Sequence, residues 1–86
     1  MEFAKVFETE EAGQLMVKRD SNEEGEPEVR VYFKPKELGV CSIGLGFEDT
    51  DEGFDSADLI FSKANKKWAL GIAIGAMKDC GVEPEK

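Results

Sequence analysis

Apolar and polar positions alternate along the first half of the chain and give way, near residue 56, to a spacing of three and four. Alternation with a period of two is the signature of a strand with one covered face, and turn-forming residues cut this half into four such runs. The first, about 2–8, carries Phe3 and Phe7 on one side and Ala4 and Val6 on the other, so its facing stays open. The second, 14–19, puts Leu15 and Val17 on one face and Gln14, Met16 and Lys18 on the other. The third, 28–34, turns Val29, Val31 and Phe33 inward against Arg30, Tyr32 and Lys34, and Pro35, which has no N–H to give a ladder, closes it.

In the fourth run, 41–47, Cys41, Ile43, Leu45 and Phe47 alternate with Ser42, Gly44 and Gly46. One face is apolar and the other nearly bare. Glycines weaken a strand, so two on one face indicate that another backbone, ring or ligand comes close there.

The later spacing predicts one long helix over 56–80, with Asp55 or Ser56 as N-cap and Asp58 near the positive end of the dipole. Gly81, Val82 and Pro84 supply its stop. Ala57, Phe61, Ala64, Trp68 and Ile72 or Gly75 form the face that lies on the sheet. A helix of this length is long for so small a domain. A break around residues 62–65 is the alternative, with 57–61 then open to reading as a short fifth strand. The fold class that results is α+β: a four-stranded antiparallel β-meander packed on a C-terminal helix, one domain over 1–86, with the sheet at about 2–48, an acidic loop at 48–55 and a tail at 81–86.

Composition sharpens this picture through charge. The 86 residues include 19 acids, 11 bases and no histidine, for a net charge of −8. A domain of this size has little core to spare for walling off a deep pocket. Histidine is the usual general base and the commonest metal ligand, and no nucleophile elbow or phosphate-cradling lysine loop stands in for it. The expectation is a protein that is not an enzyme and has no cofactor and no metal. Asp49, Asp51, Gly53 and Asp55 resemble the start of a calcium loop, but the sixth position is Phe54 where an EF-hand needs glycine, and the twelfth is Ile60 where it needs glutamate. No run of apolar residues reaches membrane-spanning length, and the N-terminal Met1, Glu2 and Lys5 do not open a secretory signal, so the chain reads as cytoplasmic.

The order of the charges carries more than their sum. In a meander, alternate turns fall at the same end of the sheet, which brings segments 20–28 and 48–58 to one pole. Asp20, Glu23, Glu24, Glu26 and Glu28 lie in the first, and Glu48, Asp49, Asp51, Glu52, Asp55 and Asp58 in the second, with no lysine or arginine in either. Such a pole repels itself unless solvent, a cation or a basic partner relieves it. The outer sheet face reads the other way: Lys18, Arg30 and Lys34 surround Tyr32 and Met16. Cations around an aromatic are how many single-strand nucleic-acid binders work.

Residues 69–77 are apolar around the whole helix circumference, so the side turned from the sheet calls for a cover. Leu70, Gly71, Ile74, Gly75 and Met77 are the candidate contacts of a helix-paired homodimer. Lys63, Lys66 and Lys67 sit mid-helix and screen acids of the same chain. Cys41 and Cys80 fall at the pole opposite the acidic one, as reduced thiols. The functional expectation is a small acidic interaction protein, dimeric, that presents its acidic pole to a basic protein, one that binds nucleic acid included, as modulator or inhibitor. The alternatives are single-stranded nucleic-acid binding around Tyr32, and a soluble domain whose charge serves solubility alone.

Overall fold

A computed structural model describes residues 4–34, 39–79 and 81. Four strands, β1 (Ala4–Thr9), β2 (Gly13–Ser21), β3 (Pro27–Phe33) and β4 (Cys41–Gly46), precede two helices, α1 (Asp51–Lys63) and α2 (Lys66–Asp79). The strands pair antiparallel in chain order, so β1 and β4 are the two edges. The α+β class and the meander are as the alternation indicates, whereas the single long helix is two helices.

Chain chemistry sets each turn. Between β1 and β2, the Thr9 hydroxyl donates to the Gly13 carbonyl (2.7 Å) and accepts from the Ala12 amide (3.0 Å), with Gly13 in the left-handed region at φ 69. Between β2 and β3, the Asn22 side-chain carbonyl accepts from the amides of Glu24 (2.9 Å) and Glu26 (3.0 Å), and Gly25 takes φ 85. β2 extends beyond 14–19 to Gly13–Ser21 because its last residues pair with Pro27 and Glu28.

The helix starts earlier than a cap at Asp55 or Ser56 would allow. Thr50 is the N-cap, its hydroxyl accepting from the Gly53 amide at 3.0 Å, and Asp51 and Glu52 occupy the first turn, where the dipole favours acids. Residues 51–55 of the expected 48–55 loop are therefore helix, and 57–61 is helical, not a fifth strand. α1 ends at Lys63 with Ala64 as its C-cap, and Asn65 opens α2 by accepting from the Trp68 amide at 2.9 Å. This two-residue interruption rotates the buried stripe. Ala57, Phe61 and Ala64 face the sheet as the spacing predicts, but α2 turns in Ala69, Ala73 and Met77 instead of Trp68, Ile72 or Gly75.

The core lies between one sheet face and the helices: Leu15 and Val17 from β2, Val29, Val31 and Phe33 from β3, and the helical alanines that let the layers approach closely. Parity places Lys5 and Phe7 of β1 on this inner face, because they pair with Val17 and Leu15, while Val6 faces outward and is 55% exposed. That resolves the facing of the first strand. The Lys5 ammonium reaches across to donate to the carbonyls of Phe61 (2.8 Å), Ser62 (3.2 Å) and Ala64 (3.1 Å) at the C-terminus of α1. The helices pack over β1, β2 and β3, and β4 overhangs them. Gly81 takes φ 77 and its amide donates to the Lys78 carbonyl, whereas Phe3, Pro35, Cys80, Val82 and Pro84 lie outside the described residues, and the Cys41–Cys80 relation with them.

Candidate functional site

β2 ends, β3 begins and β4 ends at the same edge of the molecule. Ser21 pairs with Pro27, Glu28 pairs with Gly46, and the Phe47 amide donates to the Pro27 carbonyl at 2.9 Å. That single bond ties the 20–28 turn to the segment that leads into α1. The acids of both segments therefore gather at one pole, most of them exposed.

Three of them are balanced by bases, two within their own strand and one across from sheet to helix. Arg19 donates from Nε to Asp58 at 2.8 Å, Arg30 from Nε to Glu28 at 2.9 Å, and Lys18 lies 3.7 Å from Asp20. Arg19 was not among the residues singled out in the sequence. Its parity with Leu15 and Val17 sends it inward, and at the pole it crosses to α1, stacks 5.5 Å over the Phe54 ring and is only 11% exposed. Strand parity was the signal that marks it. Among the described residues, Glu23, Glu24, Glu26, Glu48, Asp49, Asp51, Glu52 and Asp55 have no ion-pair partner, although Glu26 accepts a hydrogen bond from the Asn22 amide group at 3.0 Å. No three acidic or thiol groups among the described residues converge in a way that would hold a metal ion.

The outer sheet face is built in rows across the strands. Ala4, Lys18, Arg30 and Gly44 form one row, Val6, Met16, Tyr32 and Ser42 the next, and Asp20, Glu28 and Gly46 the row at the acidic end. Arg30 does not stand free. Its guanidinium donates to both Glu28 oxygens (2.9 and 3.3 Å) and to the Ser42 hydroxyl (2.9 Å), and the hydrogen bond to Glu28, against a smaller opposing effect of burial, holds its proton more firmly than usual. It fills the space that Gly44 leaves bare, since a Cβ there would lie 2.6 Å from Nη2, while a Cβ on Gly46 would meet no described residue within 4 Å. A shallow hollow of ≈ 530 Å³ connects this face to the pole, between the 20–24 turn and the side chains of Glu28, Arg30 and Tyr32. Lys34 is exposed at the far end of β3.

On α2, Gly71 and Gly75 are exposed and Leu70 and Ile74 are half-buried, but Met77 is 2% exposed and belongs to the core. It cannot reach a second chain. No described helix is long and apolar enough to cross a membrane. The chain matches no protein-family model, no curated protein and no solved structure.

Proposed function

We propose that this is a non-catalytic interaction protein of the cytoplasm, working as a homodimer, that docks its acidic pole on a basic protein, including one that itself binds nucleic acid. The observation that carries the reading is the Phe47–Pro27 hydrogen bond, which brings two acidic segments together, with eight carboxylates lacking an ion-pair partner among the described residues. A basic partner relieves their mutual repulsion and is steered to them over a distance set by salt. Catalysis is a poorer fit, because the chain has no histidine and most of the described carboxylates at the pole stand in solvent.

Nucleic-acid binding through Tyr32 is the weaker reading. Two of its cations, Lys18 and Arg30, are engaged by Asp20 and Glu28, and the adjoining acids oppose phosphates. The test reverses charges outside the helix so that the dipole is left alone: Glu23→Lys, Glu24→Lys, Glu48→Lys and Asp49→Lys together. Wild-type protein on a resin should capture basic proteins from its native lysate, with retention falling as salt rises, and the variant should lose them. Unchanged capture by the variant would overturn the proposal. Retardation of single-stranded oligonucleotides by the wild type, abolished in Tyr32→Ala, would favour the sheet face instead.

A further inference from the structure

Among the described residues, the edge strand β4 lacks the charges and prolines by which proteins block sheet growth. Its six residues, Cys41–Gly46, carry no charge and no proline. The opposite edge, β1, carries Lys5 and Glu8. β4 also overhangs the helices, so that Ile43 on its inner face is 37% exposed and Leu45 is only half-buried.

The hydrogen-bond phase of this edge follows from one observed bond. Phe47 donates to Pro27, so the pairs Leu45–Val29, Ile43–Val31 and Cys41–Phe33 are the ones that exchange bonds within the sheet, in steps of two. The N–H and C=O groups of Ser42, Gly44 and Gly46 therefore point outward, toward the free edge.

We infer that a second copy of this chain adds to β4, antiparallel, with Gly44 opposite Gly44 of the second copy, to make one continuous eight-stranded sheet. In that register Ser42 exchanges main-chain bonds with Gly46 of the second copy. Ile43 lies beside Leu45 of the second copy in a non-bonded pair, where side chains come closest, and the two cover each other's exposed apolar surface. Charge selects both the occupant and the direction. Antiparallel addition puts the two acidic poles at opposite ends and sets Glu48 and Asp49 of each copy toward the Lys34 end of the other, whereas parallel addition would press the poles together. This moves the homodimer contact from α2 to the sheet edge and does not depend on what the acidic pole binds.

Light scattering on the full chain over a concentration series tests it. The interface is small, so wild type should pass between one and two chain masses as concentration rises. Gly46→Pro removes an outward N–H without touching the β3 ladder, and a Cβ at Gly46 meets nothing within 4 Å. Ile43→Lys places a charge on the overhang. Each should weaken the dimer about tenfold or more while the circular dichroism spectrum stays native. Ile74→Glu on α2 should leave it intact. A single-chain mass at every concentration, or a dimer lost with Ile74→Glu and kept with both edge variants, overturns the inference. Because acidic-pole capture is read separately, failure of one leaves the other standing.

Discussion

The guanidinium of Arg30 occupies the place that a side chain on Gly44 would take, one strand away, and this lets it hold Glu28 by two hydrogen bonds. Glu28 is 7% exposed, so its carboxylate depends on that partner. Gly44→Ala should displace Arg30 and cost about 0.5–1.5 kcal/mol, the value of a weakened charged hydrogen bond. In an Arg30→Ser background the same change should be neutral or slightly stabilising, since alanine suits a strand better than glycine. Urea denaturation of the four proteins in a double-mutant cycle checks this, and additive effects would show that the two residues are not coupled.

Lys5 joins the edge strand β1 to the end of α1. Its ammonium donates to three carbonyls there and stands 4.9 Å from the Phe61 ring centre, a cation at the negative end of the dipole. Lys5→Met should lower stability by about 1–2 kcal/mol, and faster amide exchange should appear first in the last turn of α1. An unchanged urea midpoint would mean that water replaces the ammonium at no loss.

The helical glycines should part company. Gly53 packs against Glu48 so closely that a Cβ would collide with its carbonyl, whereas no described residue lies within 4 Å of the Cβ positions of Gly71 and Gly75. Gly53→Ala should therefore destabilise by about 1–3 kcal/mol, although alanine is the better helix former. Gly71→Ala and Gly75→Ala should each stabilise by about 0.5–1 kcal/mol. Thermal melts of the three variants decide it, and loss of stability at Gly71 or Gly75 would indicate a close neighbour on that side of α2.

Leu15 is fully buried between the sheet and the helices, while Leu59 on α1 is 55% exposed. Leu15→Ala should cost about 2–5 kcal/mol, because the transfer energy is lost and a cavity remains. Leu59→Ala should stay within about 0.5 kcal/mol. Comparable losses at both positions would place Leu59 in a contact with another chain.

The meander was legible because period-two alternation is a local property: Leu15, Val17, Val29, Val31 and Phe33 are turned inward by the same parity that orders them along the chain. The inward helix positions 57, 61 and 64 were legible for the same reason at helical spacing. The helix break was legible only as the alternative of an interruption around 62–65, and its effect on the facing of α2 was not, since Asn65 acts through a hydrogen bond to the Trp68 amide that an asparagine in mid-helix need not make. One cap shifts the buried stripe to 69, 73 and 77, and so takes Met77 out of any surface contact.

The sequence by itself determined the strands, their order of charges and the lack of histidine, because each is a matter of which residue follows which. Only the tertiary structure decided the ion pair between distant segments. Lys18–Asp20 and Arg30–Glu28 join residues two apart on one face of a single strand, whereas Arg19 of β2 meets Asp58 of α1 only because the helix packs on the sheet. The same holds for the free edge of β4, whose exposure follows from where the helices end. Ion pairing and coverage depend on distances between segments far apart in the chain, and those distances exist only once the layers have packed.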